Sequence, residues 1–130
     1  MKIMVGYDGS NDSKIALKLA VTHAKAFTGK VIAVASMNKG TEAETQAIKK
    51  MEEDLDQVKD QVENQNVPCE THLLIRGMTP GEDIVDYAQE NGIDEIVIGI
   101  RRRSKVGKLV FGSNAQFIIL HAPCPVTTVK

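Results

Sequence analysis

Short apolar runs alternate with longer amphipathic stretches along this chain, and that alternation narrows the possible folds more than any other feature. The runs fall at residues 3–7, 31–37, 72–75, 96–100 and 126–129. Three of them are rich in Val and Ile with little polar alternation, as in strands covered on both faces. His72-Leu73-Leu74-Ile75 is the weakest. Four helical stretches lie between the runs. The first spans 10–27, with Ala16, Ala20, His23, Ala24 and Phe27 on one face and Gly29 as a stop. The second spans 42–64. Its Ile48, Met51, Leu55, Val58 and Val62 are spaced 3, 4, 3, 4, too few heptads for a coiled coil and better suited to packing on a sheet. The third opens on Thr79-Pro80-Gly81-Glu82, a capping box with proline at the first helical position, and closes on Asn91-Gly92. The fourth opens on Ser113-Asn114-Ala115-Gln116, read as a second capping box, and ends before Pro123.

A β-α-β-α-β-α-β-α-β order predicts an α/β fold: an open, doubly wound parallel sheet with helices on both faces and right-handed crossovers. With 130 residues, no linker and no internal repeat, the chain is expected to form one domain over 1–130. Net charge is −1, so there is no global field to recruit nucleic acid. Charge is uneven: residues 41–65 carry eight acids against three lysines, and residues 101–108 carry five basic residues and no acid. No apolar run approaches the ~20 residues of a membrane span. The N-terminal apolar stretch is short and broken by Asp8, unlike a signal peptide. A cytoplasmic protein is expected. Cys69 and Cys124 fit no metal-ligand spacing and read as reduced thiols.

Ligands of such sheets sit beyond the carboxyl ends of the strands, where the strand order reverses. Asp8-Gly9-Ser10 follows the first run, and the segment from Gly99 to Ser113 follows the fourth. That segment joins a glycine at a strand end to a basic loop and to Gly112-Ser113 opening a helix. Free amides and a partial positive charge at a helix N-terminus make an anion site. The same residues also suit a plain tight turn with a serine cap, and the arginines suit a solvated loop. The residues alone leave both readings open. A Walker loop is excluded, because Arg102 stands where its first glycine is needed and Leu109 follows Gly107-Lys108. Gly6-Tyr7-Asp8-Gly9 lacks the dinucleotide fingerprint.

The Val5-Gly6-Tyr7-Asp8-Gly9-Ser10 opening, the Gly77 to Pro80 segment, the Ile96 to Gly99 strand, the Gly112-Ser113 pair and the Ala122-Pro123-Cys124-Pro125-Val126 ending together resemble the universal stress protein family over the whole chain. ATP-binding members resemble Gly-x2-Gly-x9-Gly-Ser/Thr in this loop. Gly99 matches the first glycine and Gly112-Ser113 the last pair, while Arg102 occupies the middle position. The resemblance implies a five-stranded, Rossmann-like sheet in the order 3-2-1-4-5, with Asp8 and Gly99 flanking one crevice. It implies ATP or a related adenine nucleotide, with Mg²⁺, as ligand. Asp8 would help hold the nucleoside, and backbone near Ala35 would meet the base. Gly99, Arg101, Arg102, Gly112, Ser113 and Asn114 would form the phosphate side. It also implies a homodimer through Val126, Thr127, Thr128 and Val129, and Cys69 and Cys124 near opposite edges of the sheet.

No catalytic constellation is evident. His23, His72 and His121 lie on three different elements without a second metal ligand at suitable spacing. His23 reads as a packed or capping residue. Ser10 and Ser13 form no nucleophile elbow, and no triad order follows. The expected role is nucleotide-linked stress response or signalling with little or no turnover. The alternative is a dimeric scaffold in which Arg102 fills the phosphate site and Arg101, Arg102 and Arg103 face a protein partner. An adenylyl-transfer enzyme is disfavoured, because the paired histidines such enzymes carry after the first strand are missing.

Overall fold

The computed structural model describes residues 1–38, 40–100 and 112–130. Chain order is β1 (Lys2–Gly6), α1 (Asn11–Phe27), β2 (Lys30–Ser36), α2 (Glu42–Glu63), β3 (Cys69–Leu74), α3 (Pro80–Asn91), β4 (Glu95–Gly99), α4 (Ser113–His121) and β5 (Val126–Val129). The strands form one parallel sheet in the order β3-β2-β1-β4-β5. Chain direction through the order reverses at β1, so the switch point lies between β1 and β4. β3 starts at Cys69, three residues before the apolar run begins. Glu70 and Thr71 hid its start. Only Cys69 in this strand is buried, and an edge strand needs no continuous apolar run.

The sheet divides two apolar layers. Ile3 and Val5 pack with α1 and α2, whereas Met4 packs with α3 and α4. Such alternation is the two-residue period of a strand. Each side chain buried in this way contributes roughly 1.5–3 kcal/mol. On α2, Met51, Leu55, Val58 and Val62 form the buried stripe and belong to the layer shared with β2 and β3, so the heptad-like spacing serves the sheet.

The helix ends show how local chemistry sets the boundaries. The Ser10 side chain accepts from the Ser13 amide at 3.2 Å and starts α1. Thr28, not Gly29, takes the left-handed conformation at its end, with φ 53°. Gly29 is small for another reason: a Cβ there would lie 3.0 Å from the Met1 carbonyl oxygen. Thr79 caps α3 by accepting from the Glu82 amide at 3.4 Å. The Glu82 carboxylate accepts from the Thr79 hydroxyl at 2.7 Å instead of reaching the cap's backbone amide. At α4 the sequence reading needs correction. Gly112 is the N-cap residue and has no side chain to offer, so Ser113 is already the first helical residue and the second capping box does not form.

His23 packs edge-on to Phe27 and adds a polar link. It is half-buried, and its Nδ1 lies 2.9 Å from Glu95 Oε1. Thr127 donates to Glu95 Oε2 at 2.6 Å. A side-chain link thus joins α1, β4 and β5 at the end of the sheet opposite the strands' carboxyl ends. Cys69 opens β3 and Cys124 precedes β5, so the two thiols stand at opposite edges. Burial pushes the Cys69 thiol up to about 11, with Glu63 adding to the shift.

Candidate functional site

A crevice of about 510 Å³ opens at the carboxyl ends of β1 and β4. Three helices begin on its rim. Ser10 brings in α1, Pro80 brings in α3, and Gly112 with Ser113 brings in α4. Each N-terminus carries about half a positive charge, but the α3 amides are taken: Pro80 has none, Gly81 donates to Asn114, and Glu82 and Asp83 donate to Thr79. The wall toward β2 is of another kind: Val34, Ile84 and Ile98 are apolar, with Ser36 among them.

The first wall is built by Gly6-Tyr7-Asp8-Gly9-Ser10. Tyr7 continues the ladder by donating to the Val34 carbonyl at 2.9 Å. Gly9 then turns the chain at φ +82°, a conformation that glycine adopts without strain. Asp8 Oδ1 accepts from the Ser10 amide at 2.9 Å, which fixes the exposed carboxylate at the mouth. Burial raises the Tyr7 phenol, and Asp54 and Asp8 raise it further, so the hydroxyl stays protonated at neutral pH.

The two motif glycines have different physical reasons. A Cβ on Gly99 would stand 2.8 Å from Asp12 Cβ and closer still to the Asp12 backbone carbonyl. β4 therefore meets the first turn of α1 at a distance that only glycine permits. A Cβ on Gly112 meets nothing within 4 Å among the described residues, and its φ of −64° suits any residue. Nothing described in the fold requires glycine at that point.

Asn114 acts between helices. Its Oδ1 accepts from the Gly81 amide at 2.9 Å, so a side chain of α4 caps the second residue of α3. Gly81 is tightly packed: a Cβ would lie 3.1 Å from the Asn114 carbonyl oxygen. The starts of α3 and α4 are thereby held together.

Behind the apolar wall sits a charge. Asp83, on the first turn of α3, has a side chain only 1% exposed. Its Oδ1 pairs with Arg76 Nε at 2.5 Å, and its Oδ2 accepts from the Ser36 hydroxyl at 2.7 Å. Arg76 also donates to the Asp83 carbonyl at 3.1 Å and to Glu90 at 3.2 Å. The Asp83 hydrogen bond is the main cause of a raised Arg76 guanidinium, with Asp83 and Glu90 charge adding to it against the opposing effect of burial. The α3 dipole further favours an anion at this position.

Of the residues expected from the sequence, Asp8, Gly99, Gly112, Ser113 and Asn114 border this crevice. Ala35 does not. It is 1% exposed and packs with α1 and α2, while its neighbours Val34 and Ser36 face the crevice. A register shift of one residue exchanges the faces of a strand. Arg101 and Arg102 lie outside the described residues. Sequence reasoning missed Ser36, Asp83, Arg76 and Gly81. Polar side chains in contact across β2, α3 and the loop before it leave no spacing signal.

No histidine borders the crevice, and Ser13 donates its hydroxyl to the Ser10 carbonyl at 2.9 Å. Among the described residues no three His, Cys, Asp or Glu side chains gather to hold a metal, and no helix is long and apolar enough to cross a membrane. A larger groove of about 970 Å³ runs between α1 and α2, sharing Tyr7 and Asp8 with the crevice. It follows the middle of α1 and of α2 and is lined by Lys14, Lys18, Lys25 and Lys50, whereas the smaller cavity is the one at the carboxyl ends of the strands, where helices begin.

Comparison with known proteins agrees with this geometry. The profile of the universal stress protein family matches residues 1–130. A universal stress protein of Thermus aquaticus is 32% identical over 134 residues, covering 98% of this chain and 97% of that one. A solved universal stress protein from Archaeoglobus fulgidus superposes with a TM-score of 0.88 at 37% identity, covering 100% of this chain and 98% of the other. Another structure of an Archaeoglobus fulgidus universal stress protein, in complex with dAMP, has a TM-score of 0.83 and 34% identity, with 100% and 98% covered. The chain belongs to the universal stress protein family.

Proposed function

We propose that the crevice binds an adenine nucleotide and that the protein serves stress response or signalling in the cytoplasm, with little or no turnover. The observation that carries this reading is that the starts of α1 and α4 open on one cavity whose far wall is apolar. Phosphates suit the first feature and a base the second. The dAMP complex of the Archaeoglobus fulgidus relative supports it. ATP is the proposed form. Mg²⁺ would be held mainly by its phosphates, the usual arrangement for this ion; Asp8 is the carboxylate at the mouth. Gly112 and Ser113 would meet phosphate oxygens through backbone amides and hydroxyl.

Titration calorimetry of nucleotide-stripped protein with Mg-ATP tests this. A micromolar dissociation constant is expected, about −8 kcal/mol. Gly112→Val should lose at least about tenfold in affinity, about 1.4 kcal/mol, while unfolding at an unchanged temperature. Arg102→Ala should weaken binding by removing a charge-assisted contact. Phosphate release should stay at background; rapid, Asp8-dependent release would overturn the non-catalytic assignment. The arginine at the middle glycine position favours a second reading, in which it fills the site. That reading predicts no heat at millimolar Mg-ATP for the wild type and new binding in Arg102→Gly.

We also propose that the protein dimerises along β5, the edge formed by Val126, Thr127, Thr128 and Val129. Unpaired strand edges invite partners. Neighbouring α4 adds exposed Ile119 and Leu120, the latter 76% exposed. Sedimentation should give twice the chain mass, and Leu120→Glu combined with Thr128→Lys should give the single mass. A wild-type monomer at micromolar concentration would rule the interface out.

A further inference from the structure

We infer that Ser36 is the residue that selects the base, because its hydroxyl is fixed as a hydrogen-bond acceptor toward the crevice. The inference rests on the nucleotide reading of that cavity and adds its specificity. A serine hydroxyl has one proton to donate and two lone pairs to accept with. Ordinarily it rotates to suit either kind of partner. Here the proton is committed. Ser36 Oγ lies 2.7 Å from Asp83 Oδ2, and Asp83, ion-paired with Arg76, is a carboxylate that only accepts. The buried carboxylate cannot turn away, since Arg76 holds its other oxygen and α3 holds its backbone. Ser36 therefore offers only lone pairs to whatever enters.

Position gives this its meaning. Ser36 ends β2, and the anion-binding end of α4 lies beyond β4. Two strand spacings, about 10 Å, separate β2 from β4, the span between a phosphate and the far edge of a purine. A ligand anchored by phosphate at Gly112 and Ser113 lays its base between Val34, Ile84 and Ile98, with the polar edge at Ser36. An acceptor there recognises a donor. A 6-amino purine supplies one at C6, where unsubstituted purine has none, and a 6-oxo purine carries an acceptor at C6 with its donor moved to N1. A site built to bond a particular group rejects the analogue without it, because the site's own polar atom is left unpaired.

The experiment measures dissociation constants for three ribonucleoside 5′-monophosphates: adenine, unsubstituted purine and hypoxanthine. Wild type, Ser36→Ala and Ser36→Thr are compared. In the wild type the adenine nucleotide should bind about tenfold more tightly than the unsubstituted purine, which differs only in the amino group. Ser36→Ala should bring the two within about twofold, and Ser36→Thr, which keeps the hydroxyl, should restore the preference. Equal wild-type affinity for adenine and unsubstituted purine overturns the role of Ser36 while leaving nucleotide binding intact. A preference that survives in Ser36→Ala does the same, and assigns selection to backbone. No binding of any of the three overturns the nucleotide reading, and the inference with it. Melting temperatures of both variants establish that they are folded.

Discussion

Gly99→Ala is expected to unfold at distinctly lower urea concentration than the wild type, with a loss of about 1–3 kcal/mol or more. Overpacking usually relaxes by a rotamer change or a small shift of a flexible neighbour. Neither route exists here, because the new methyl would collide with the Asp12 backbone and Cβ in the first turn of α1. β4 or the helix start must move instead. Since that turn carries Ser10 beside Asp8, nucleotide affinity should fall with stability. The informative control is Gly112→Ala, where a Cβ meets nothing within 4 Å among the described residues. Its stability should lie within about 0.5 kcal/mol of the wild type, as surface substitutions usually do. Equal stability of the two variants would show that β4 and α1 are packed less closely than described.

Arg76→Ala is expected to cost roughly 2–4 kcal/mol, toward the lower part of what breaking a buried ion pair costs, since the arginine itself is partly solvated. Asp83 is the reason. Its side chain is 1% exposed against 31% for Arg76, so the variant leaves a charge inside the protein with only Ser36 and the helix dipole to balance it. Replacing both partners by apolar residues, Arg76→Met with Asp83→Leu, should recover much of the loss. Chemical denaturation at pH 7 measures both variants. A double variant no more stable than Arg76→Ala would mean that packing by the arginine stem, not charge, is what matters.

The fold was legible because its signals are local. Val and Ile runs, the Thr79-Pro80 start and the glycine after Asn91 each act within a few residues. β1, β2 and β4 all begin and end one residue earlier than the apolar runs, a small error for boundaries that depend on ladder hydrogen bonds. The strand order came from family resemblance, since periodicity says nothing about which strands are neighbours. The site was legible only in part. Asp8, Gly99, Gly112, Ser113 and Asn114 follow strand ends or open a helix, where ligands of this architecture gather. The Ala35 side chain faces α1 and α2 because one residue of register separates the two faces of β2, whereas the resemblance implied backbone, not side chain, at that point. The Ser36–Asp83–Arg76 network was invisible for a different reason. Ser36 and Asp83 are 47 residues apart, and only the packing of α3 under β2 brings them together. Asn114 has a second role that no spacing announces: its side-chain oxygen accepts from the Gly81 amide of another helix.

The contrast between the two motif glycines has a consequence for how such chains diverge. Gly99 is held by the closeness of β4 to α1, so it answers to foldedness whatever the protein is used for. Gly112 meets no described neighbour where a Cβ would stand, so under the proposed function it answers to the ligand. If the crevice holds a nucleotide as proposed, a descendant that gave it up would be free to drift at the last glycine long before it could change the first. Reading the two positions together would then date the loss of the ligand, while the first alone would record only that the sheet still folds.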